Sequence, residues 1–600
     1  MTGVHGFGLT RERLWLALAM AALAVVFLGN FNSTAAFHDD AFISFRYAAN
    51  FAHCKGLVYN PGERVEGYTN PLYVLTAAAM IKAGIPPMVG MVWLCIAAGL
   101  LALPVTYAFG RLIASESRGA WVFLIAPLLI AANATFTRWS TSGLETTPFA
   151  LLVLLSLYRY LLERRDQRRL PLAGFLFAAC YLTRPDGAIF FVAAMLHAVL
   201  FPRIARSRAE LLSRARAVAP LVLPFVAIVA AHLAWRRVYY HAWLPNTFYA
   251  KTGGRADYLT LGLEYLRGYL KTGGGYVFYL APILYLLASG LGAGAGLLLL
   301  SAVLYTPFVV AVGGDYMEHY RLFVPLTPLL ALMWQEGFGR VWQRHLRPRF
   351  AAAGQRAAAF GLAGLLALGI AAALLMNNDG YPITLTFRSP QDWVRFSWPC
   401  FKGVVRGQPF WLEAEAQQPY TRIGFWLKEH CPKSTEVAVI PAGRISYYSG
   451  LRVLDMLGLC DRHIARAKTP VKVGRIGHEK YDSAYVLSRR PEIILGHPPV
   501  VGFTCSDPED MISHIRRLSV PMDDLLAQPG FWQAYRLVVV RVAKGQISVL
   551  MFVRRDVQLP ADTIELEWAP GSRQAGGDRA ADRQASTPGG VRQARRATAG

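Results

Sequence analysis

The chain has 600 residues, 54% hydrophobic and only 17% charged, with a formal net charge of +24 from 62 Lys and Arg against 38 Asp and Glu. A soluble globular chain is nearer a quarter charged, so the composition points to a polytopic membrane protein. The basic excess sits in short tracts between apolar runs, ERRDQRR (163–169), PRIARSRAELLSRARA (202–217) and RVWQRHLRPR (340–349), a pattern that orients membrane spans and argues against nucleic acid as a partner.

Apolar runs predict spans near residues 14–30, 88–112, 119–136, 147–163, 169–183, 187–202, 216–235, 275–290, 292–312, 321–337 and 357–376. The first run, Leu14 to Leu28, leads into an Asp-Asp loop without a small-residue cleavage pattern, so no cleavable signal peptide is expected. Runs 169–183 and 187–202 are short, as helices that line a cavity at membrane depth tend to be. Residues 72–85 are apolar too but end at Pro86-Pro87. Reading them as re-entrant or surface-lying keeps Arg111 and Arg118 inside with the other basic tracts. Eleven spans then put the N-terminus inside and the C-terminal part outside. The polar clusters 31–71, 137–146, 184–187, 236–274 and 313–320 share the outward face, away from ATP and nucleotide sugars.

In chain order, the first cluster opens with Asp39 and Asp40 beside a low-dielectric slab, where a carboxylate pair needs solvent, a cation or a task. Phe42, Phe45, Ala49 and Ala52 then recur at helical spacing, with Arg46, Asn50 and His53 on another face, which predicts an amphipathic surface helix. Asp40 suits the cap of that helix; capping needs one carboxylate, which leaves Asp39 as first choice for a chemical role. GERVEGYTNP (62–71) carries Arg64, Glu66, Tyr68 and Asn70, an alternation of charge and aromatic that suits carbohydrate or, equally, an internal Arg64–Glu66 pair. Glu145 opens a span at a capping position, and Arg184 and Asp186 sit between the two short spans, placed for a mutual ion pair. WRRVYYHAWLPNTFYAKTG (235–253) supplies His241, Asn246 and Lys251; GGDYMEHYRLFVP (313–325) supplies Asp315, Glu318, His319 and Arg321. Lys251, His319, Arg321 and Arg184 are the cations suited to a lipid phosphate.

No GxxxxGK[ST], GxGxxG or HExxH motif is present, no CxxC spacing suggests structural zinc, and no internal repeat of fixed period occurs. Residues 377–566 mix short β-rich runs (STEVAVIPAG, PEIILG, AYRLVVVRV, ISVLMFVRR) with helical patterns such as RIGFWLKEH, which predicts a small α/β or α+β domain. Cys400, Cys431, Cys460 and Cys505 fall there; one or two disulfides fit an oxidising compartment, and sequence does not choose among the three full pairings. Residues 567–600 lack apolar side chains to bury and are expected to be disordered.

The loop HDDAFISFRYAANFAHCKGLVYNPGERVEGYTNPLY, with TSGLETTPF, LTRPDGA, LPNTFYAKTG and GGDYMEHYRLFVPLTPLL, resembles the C-type membrane glycosyltransferase superfamily over roughly residues 10–380. The resemblance is closest to bacterial proteins similar to the terminal β-1,2-arabinofuranosyltransferases of actinobacterial cell walls. It implies a mostly α, polytopic membrane fold, a polyprenyl-phosphate sugar donor and an essential acidic role for Asp39 and Asp40. The actinobacterial enzymes differ across GERVEGYTNP, so the acceptor and the sugar need not carry over.

The expectation is a multi-pass protein of the bacterial cytoplasmic membrane. Residues 1–376 form a transferase core with the outward loop 31–87, 377–566 an extracytoplasmic α/β or α+β domain, and 567–600 a tail. A pentose or hexose, arabinofuranose among the candidates, would pass from polyprenyl phosphate to a cell-envelope glycan or glycolipid. Asp39 or Asp40 would be the general base; Lys251, His319, Arg321 and Arg184 would hold the donor phosphate. Arg46, Arg64, Glu66, Tyr68, Asn70, Glu145, His241, Asn246 and Asp315 would line the substrate. No metal ligand is assigned; a carboxylate pair could hold Mg²⁺ or Mn²⁺, though a lipid monophosphate donor needs one less. The rival readings are a flippase of lipid-linked saccharide, which would need gates on both faces, and a non-enzymatic envelope or motility factor on the same scaffold.

Overall fold

The computed structural model describes residues 11–29, 37–114, 120–166, 170–201, 208–252, 257–271, 275–317, 319–352, 415–468, 477–500, 508–542, 547–559 and 564–565. The expected span 357–376, the tail 567–600, Arg118, Glu318, Cys400 and Cys505 lie outside them. Cys431 and Cys460 are free thiols.

The N-terminal part is helical: α1 (Arg11–Gly29), α2 (Asp39–Ala52), α3 (Pro71–Lys82), α4 (Pro87–Ile113), α5 (Ile125–Ala131), α6 (Ala134–Trp139), α7 (Thr146–Arg165), α8 (Ala173–Thr183), α9 (Gly187–Leu200), α10 (Arg208–Tyr240), α11 (Asn246–Lys251), α12 (Tyr258–Lys271), α13 (Gly275–Ser289), α14 (Ala293–Ala311), α15 (Thr327–Val341) and α16 (Arg347–Ala352). Proline sets two starts, at Pro71 and Pro87, where the missing N–H has no intrahelical partner to lose. Helix α7 packs on α4 and α8, α8 on α9 and α10, α9 on α14, and α15 on α5 and α13.

Among the described residues three helices are long and apolar enough to cross a membrane: α4, the Val218–Tyr240 stretch of α10, and α14. The expected count of eleven goes beyond that. Helix α3, with 12 residues, rises only about 18 Å against a hydrocarbon core of about 30 Å, in keeping with the non-spanning reading of residues 72–85. Helices α8 and α9, of 11 and 14 residues, are equally short. They meet at a turn so tight that a side chain at Gly187 would fall 2.7 Å from the Cys180 backbone.

Helix α2 is not the surface-lying helix its pattern predicts. Nine of its residues, Arg46 and Ser44 among them, are buried. One side packs on α3 and another on the short helix Arg444–Ser449 of the C-terminal domain, which meets Phe42, Phe45 and Arg46, while Asn50 bonds the Val58 and Tyr59 carbonyls and His53 stays exposed. A partner four hundred residues away leaves no trace in local periodicity.

The C-terminal domain is a mixed six-stranded sheet of β1 (Glu436–Val439), β2 (Arg452–Asp455), β3 (Ile493–Val500), β4 (Tyr535–Val542), β5 (Ile547–Arg554) and β6 (Ile564–Glu565), in the order β2-β1-β3-β5-β4-β6. The β2-β1-β3 half is parallel and the β3-β5-β4-β6 half antiparallel. Strand alternation divides the core between the two faces. Val437, Val439, Ile493, Leu495, Val538 and Met551 join the helical core through helix Pro419–His430. Ala438, Ile494, Leu537, Leu550 and Phe552 pack on the other face under helices Pro508–Leu518 and Val520–Leu526.

Candidate active site

The start of α2 is held from three directions. His38, with extended backbone, occupies the cap position without a side-chain cap bond, so Asp39 and Asp40 are the first helical residues and Asp40 is not the cap. The His38 ring stacks on Trp139 at 4.9 Å, and its backbone N–H donates to the Ser142 carbonyl. Burial, helped by the charge of Arg321, lowers the His38 pKa to about 4 and keeps the ring neutral near pH 7.

The two aspartates differ in their partners. Asp39 Oδ2 accepts the Gly443 N–H at 2.8 Å and Oδ1 the Arg444 N–H at 2.9 Å, with the Arg444 guanidinium 3.7 Å away. Burial raises the Asp39 pKa, against the lowering effect of Arg444 and these two bonds. Asp40 Oδ2 accepts a long 3.4 Å bond from the Tyr316 hydroxyl, and its charge is felt at both His38 and Arg321.

Among the cations, Arg321 feels the charge of Asp40. Arg321 begins a 3₁₀ turn (Arg321–Leu326) after His319 and Tyr320, both of positive φ, and its Nε donates to Asp315 Oδ2 at 2.7 Å. Its guanidinium lies over Trp139, whose indole N–H donates to the His319 carbonyl. Burial would raise the Asp315 pKa, but Arg321 and then Lys251 outweigh it and hold the carboxyl below its ordinary value. Lys251 ends α11, exposed, with its stem beside Gly477 of the C-terminal domain. Arg184, between α8 and α9, donates to both Asp186 oxygens and to Glu145 Oε1 at 3.1 Å; Tyr305 donates to Asp186 at 2.7 Å, and Asn70 to Glu145 at 3.0 Å. The ion pair expected of Arg184 and Asp186 is thus present but extends to Glu145, which makes no side-chain cap bond. The charges of Arg184 and Glu145 reach Arg321, so loops 37–40, 137–146, 184–186 and 313–321 form one cluster.

Other expected substrate residues are placed elsewhere. Arg46 is buried and donates to the carbonyls of Tyr59, Ser446 and Leu451. Glu66 pairs with Arg236, not Arg64, at 2.6 and 3.1 Å. Arg64 stacks on Tyr239. Tyr68 is buried with its hydroxyl on that of Tyr240, and Asn246 donates to the carbonyls of Gly458, Leu459 and Asp461. For Arg46, Glu66, Tyr68 and Asn246 the polar group faces protein, because long-range packing covers what the local sequence leaves open, whereas Arg64 stays exposed. His241 is exposed in a turn with positive φ, outside the cluster. Tyr316, Trp139 and Tyr305 belong to the cluster but carry no charge to distinguish them in sequence; Arg444 and Glu415 sit in a part of the chain read for its strands, helical patterns and cysteines.

Asp39 has both oxygens on backbone N–H groups, and among the described residues no three His, Cys, Asp or Glu gather as a metal-holding group.

Residues 409–557 match the model of a family described as "Domain of unknown function (DUF8728)". No curated protein matches the chain. Among solved structures, ArnT from Cupriavidus metallidurans bound to undecaprenyl phosphate is similar at 12% identity, with a TM-score of 0.50 over 91% of this chain and 99% of that one. The archaeal oligosaccharyltransferase AglB from Archaeoglobus fulgidus, in complex with an inhibitory peptide and a dolichol-phosphate, is similar at 12% identity, with a TM-score of 0.49 over 92% of this chain and 76% of that one. At such identity the likeness to ArnT is one of fold, and it runs through nearly the whole of both chains.

Proposed function

We propose that this protein is a membrane glycosyltransferase that moves a sugar from a polyprenyl-phosphate donor to an acceptor outside the cytoplasmic membrane, with Asp40 as general base. The observation that carries the reading is the cluster itself. A partly open carboxylate, Asp40, stands in the field of Arg321, with Arg184 and Lys251 near, in a fold shared with a protein whose structure holds undecaprenyl phosphate. Asp39, the first choice from sequence, gives way to Asp40 because both Asp39 oxygens already accept backbone N–H bonds.

The chemistry is a single displacement. The acceptor hydroxyl oxygen bonds to the anomeric carbon as the bond from that carbon to the phosphate oxygen breaks, and the hydroxyl proton passes to the Asp40 carboxylate. The lipid phosphate leaves with the bond's electron pair, and Arg321, with Lys251 and Arg184, stabilises its growing charge. Asp315 holds Arg321 through Nε and so fixes the plane of the guanidinium. One displacement inverts the anomeric centre. The sugar is a pentose or hexose, arabinofuranose among the candidates, and the acceptor a glycan or glycolipid of the envelope.

The test is incubation of the purified protein with radiolabelled polyprenyl-phosphate arabinose and mannose and a membrane extract as acceptor. Label should appear in extract glycan or glycolipid. Translocation of the lipid-sugar in vesicles without any transfer would replace this reading with the flippase. Alkaline phosphatase fused after residue 560 should be active outside the membrane; an inactive fusion would remove the shared outward face.

A further inference from the structure

We propose that Arg444, in the C-terminal domain, is a positioning residue for the reaction centre, acting through Asp39 and the Phe37 carbonyl to fix the segment from which Asp40 projects. The inference rests on the transferase reading and deepens it: the domain of unknown function becomes part of the site's geometry.

Arg444 touches the start of α2 at three points. Its backbone N–H donates to Asp39 Oδ1, its Nη2 donates to the Phe37 carbonyl at 2.5 Å, and its guanidinium lies 4.9 Å from the centre of the Phe42 ring. The guanidinium is in turn fixed by Glu415, which accepts from Nε at 2.8 Å and Nη2 at 3.0 Å. Both charged side chains are buried. A buried ion pair is a poor way to glue two surfaces, because the desolvation of both ions offsets most of their attraction. Apolar contact is already present, since Phe42 and Phe45 meet Tyr447 and Tyr448. What a forked Arg–carboxylate pair adds is direction. Gly443 is part of the same device: a side chain there would fall 1.9 Å from the Asp39 carbonyl oxygen, so the approach needs a glycine.

Asp40 follows Asp39 by one residue and inherits its placement. A shift of about 1 Å at a reacting group can lower the rate by roughly 10²-fold, so loosening Arg444 should act on turnover rather than on donor binding.

The experiment uses the full-length purified protein and two variants, Arg444→Lys, which keeps the charge but loses the fork, and Glu415→Gln, which keeps the shape and serves if the first does not fold. Measured are kcat, the donor KM, the pH profile of kcat, and hydrogen exchange of backbone amides 38–46. The expected result is a fall in kcat of roughly ten- to hundredfold, with donor KM and the acid limb of the pH profile in place and exchange in 38–46 raised. Wild-type kcat in both variants, or a raised KM with kcat intact, would overturn the inference. Exchange needs no sugar, so the two failures separate. Unchanged protection of 38–46 in both variants refutes the positioning contact itself, whereas a wild-type protein that transfers nothing refutes the transferase reading.

Discussion

In residues 57–70 most polar side chains are committed to partners inside the protein, with Arg64 exposed. Asn60 binds the Val453 backbone, Glu66 forks Arg236, Tyr68 meets Tyr240, and Asn70 donates to Glu145. In residues 37–42, some twenty positions earlier, the first carboxylate is equally committed, but the second stands half-buried with a long bond from Tyr316 and the field of Arg321. Both stretches carry charged and aromatic side chains. They differ in how firmly the carboxylate oxygens are held. A carboxylate with a backbone N–H on each oxygen orients the chain; one near a cation and held by a single long bond is freer to take a proton.

The contrast can be broken most sharply at Glu66. If it is scaffold, Glu66→Ala leaves the Arg236 guanidinium buried without its partner and should cost about 3–5 kcal/mol of stability, seen as a lowered unfolding temperature or loss of extractable protein. Normal stability with lost transfer would return the 57–70 loop to the substrate. Next in size is the phosphate side. Arg321→Ala removes a charge-assisted contact worth about 1.5–3 kcal/mol, a roughly ten- to hundredfold loss in donor use, and exposed Lys251→Ala should do less. Unchanged donor dependence in both would leave these cations as membrane-surface anchors.

A pH effect sharpens the comparison inside the C-terminal domain. Asp455 is buried and accepts the N–H groups of Leu457 and Cys460, and burial pushes its pKa up to about 7. The unfolded chain would release this proton near the ordinary carboxylate value and the folded chain only near 7. Stability therefore falls as pH rises through that window. Thermal unfolding of the full-length protein and of Asp455→Asn, compared at about pH 5 and about pH 8, should show the wild type losing more on the alkaline step. Equal losses would mean that Asp455 is ionised throughout.

How much of this was legible in the sequence depends on the range of the interaction. The helical core, the shortness of the apolar 72–85 segment, the C-terminal sheet and the charges Asp40, Glu145, Arg184, Asp315 and Arg321 that the structure gathers could be read, because apolar run length and charge placement are local properties. The burial of α2 could not, since its cover comes from Arg444–Ser449. For the same reason Arg46 and Asn246 looked like substrate residues although they bind the backbone of the C-terminal domain. Asp39 ranked above Asp40 because a local capping argument assigned the cap to Asp40, while the structure gives that position to His38.

The central claim is that the neighbouring carboxylates have different tasks, and their amide variants test it most directly. Asp39→Asn and Asp40→Asn should both insert and extract like the wild type. An amide at position 40 cannot take the acceptor proton at neutral pH, so transfer from polyprenyl-phosphate sugar should fall by about 10²–10⁴-fold. An amide at position 39 keeps one acceptor oxygen for the Gly443 and Arg444 N–H groups, so Asp39→Asn should retain measurable turnover, reduced by roughly 10- to 100-fold. Near-normal transfer by Asp40→Asn, above all beside an inactive Asp39→Asn, would contradict the account.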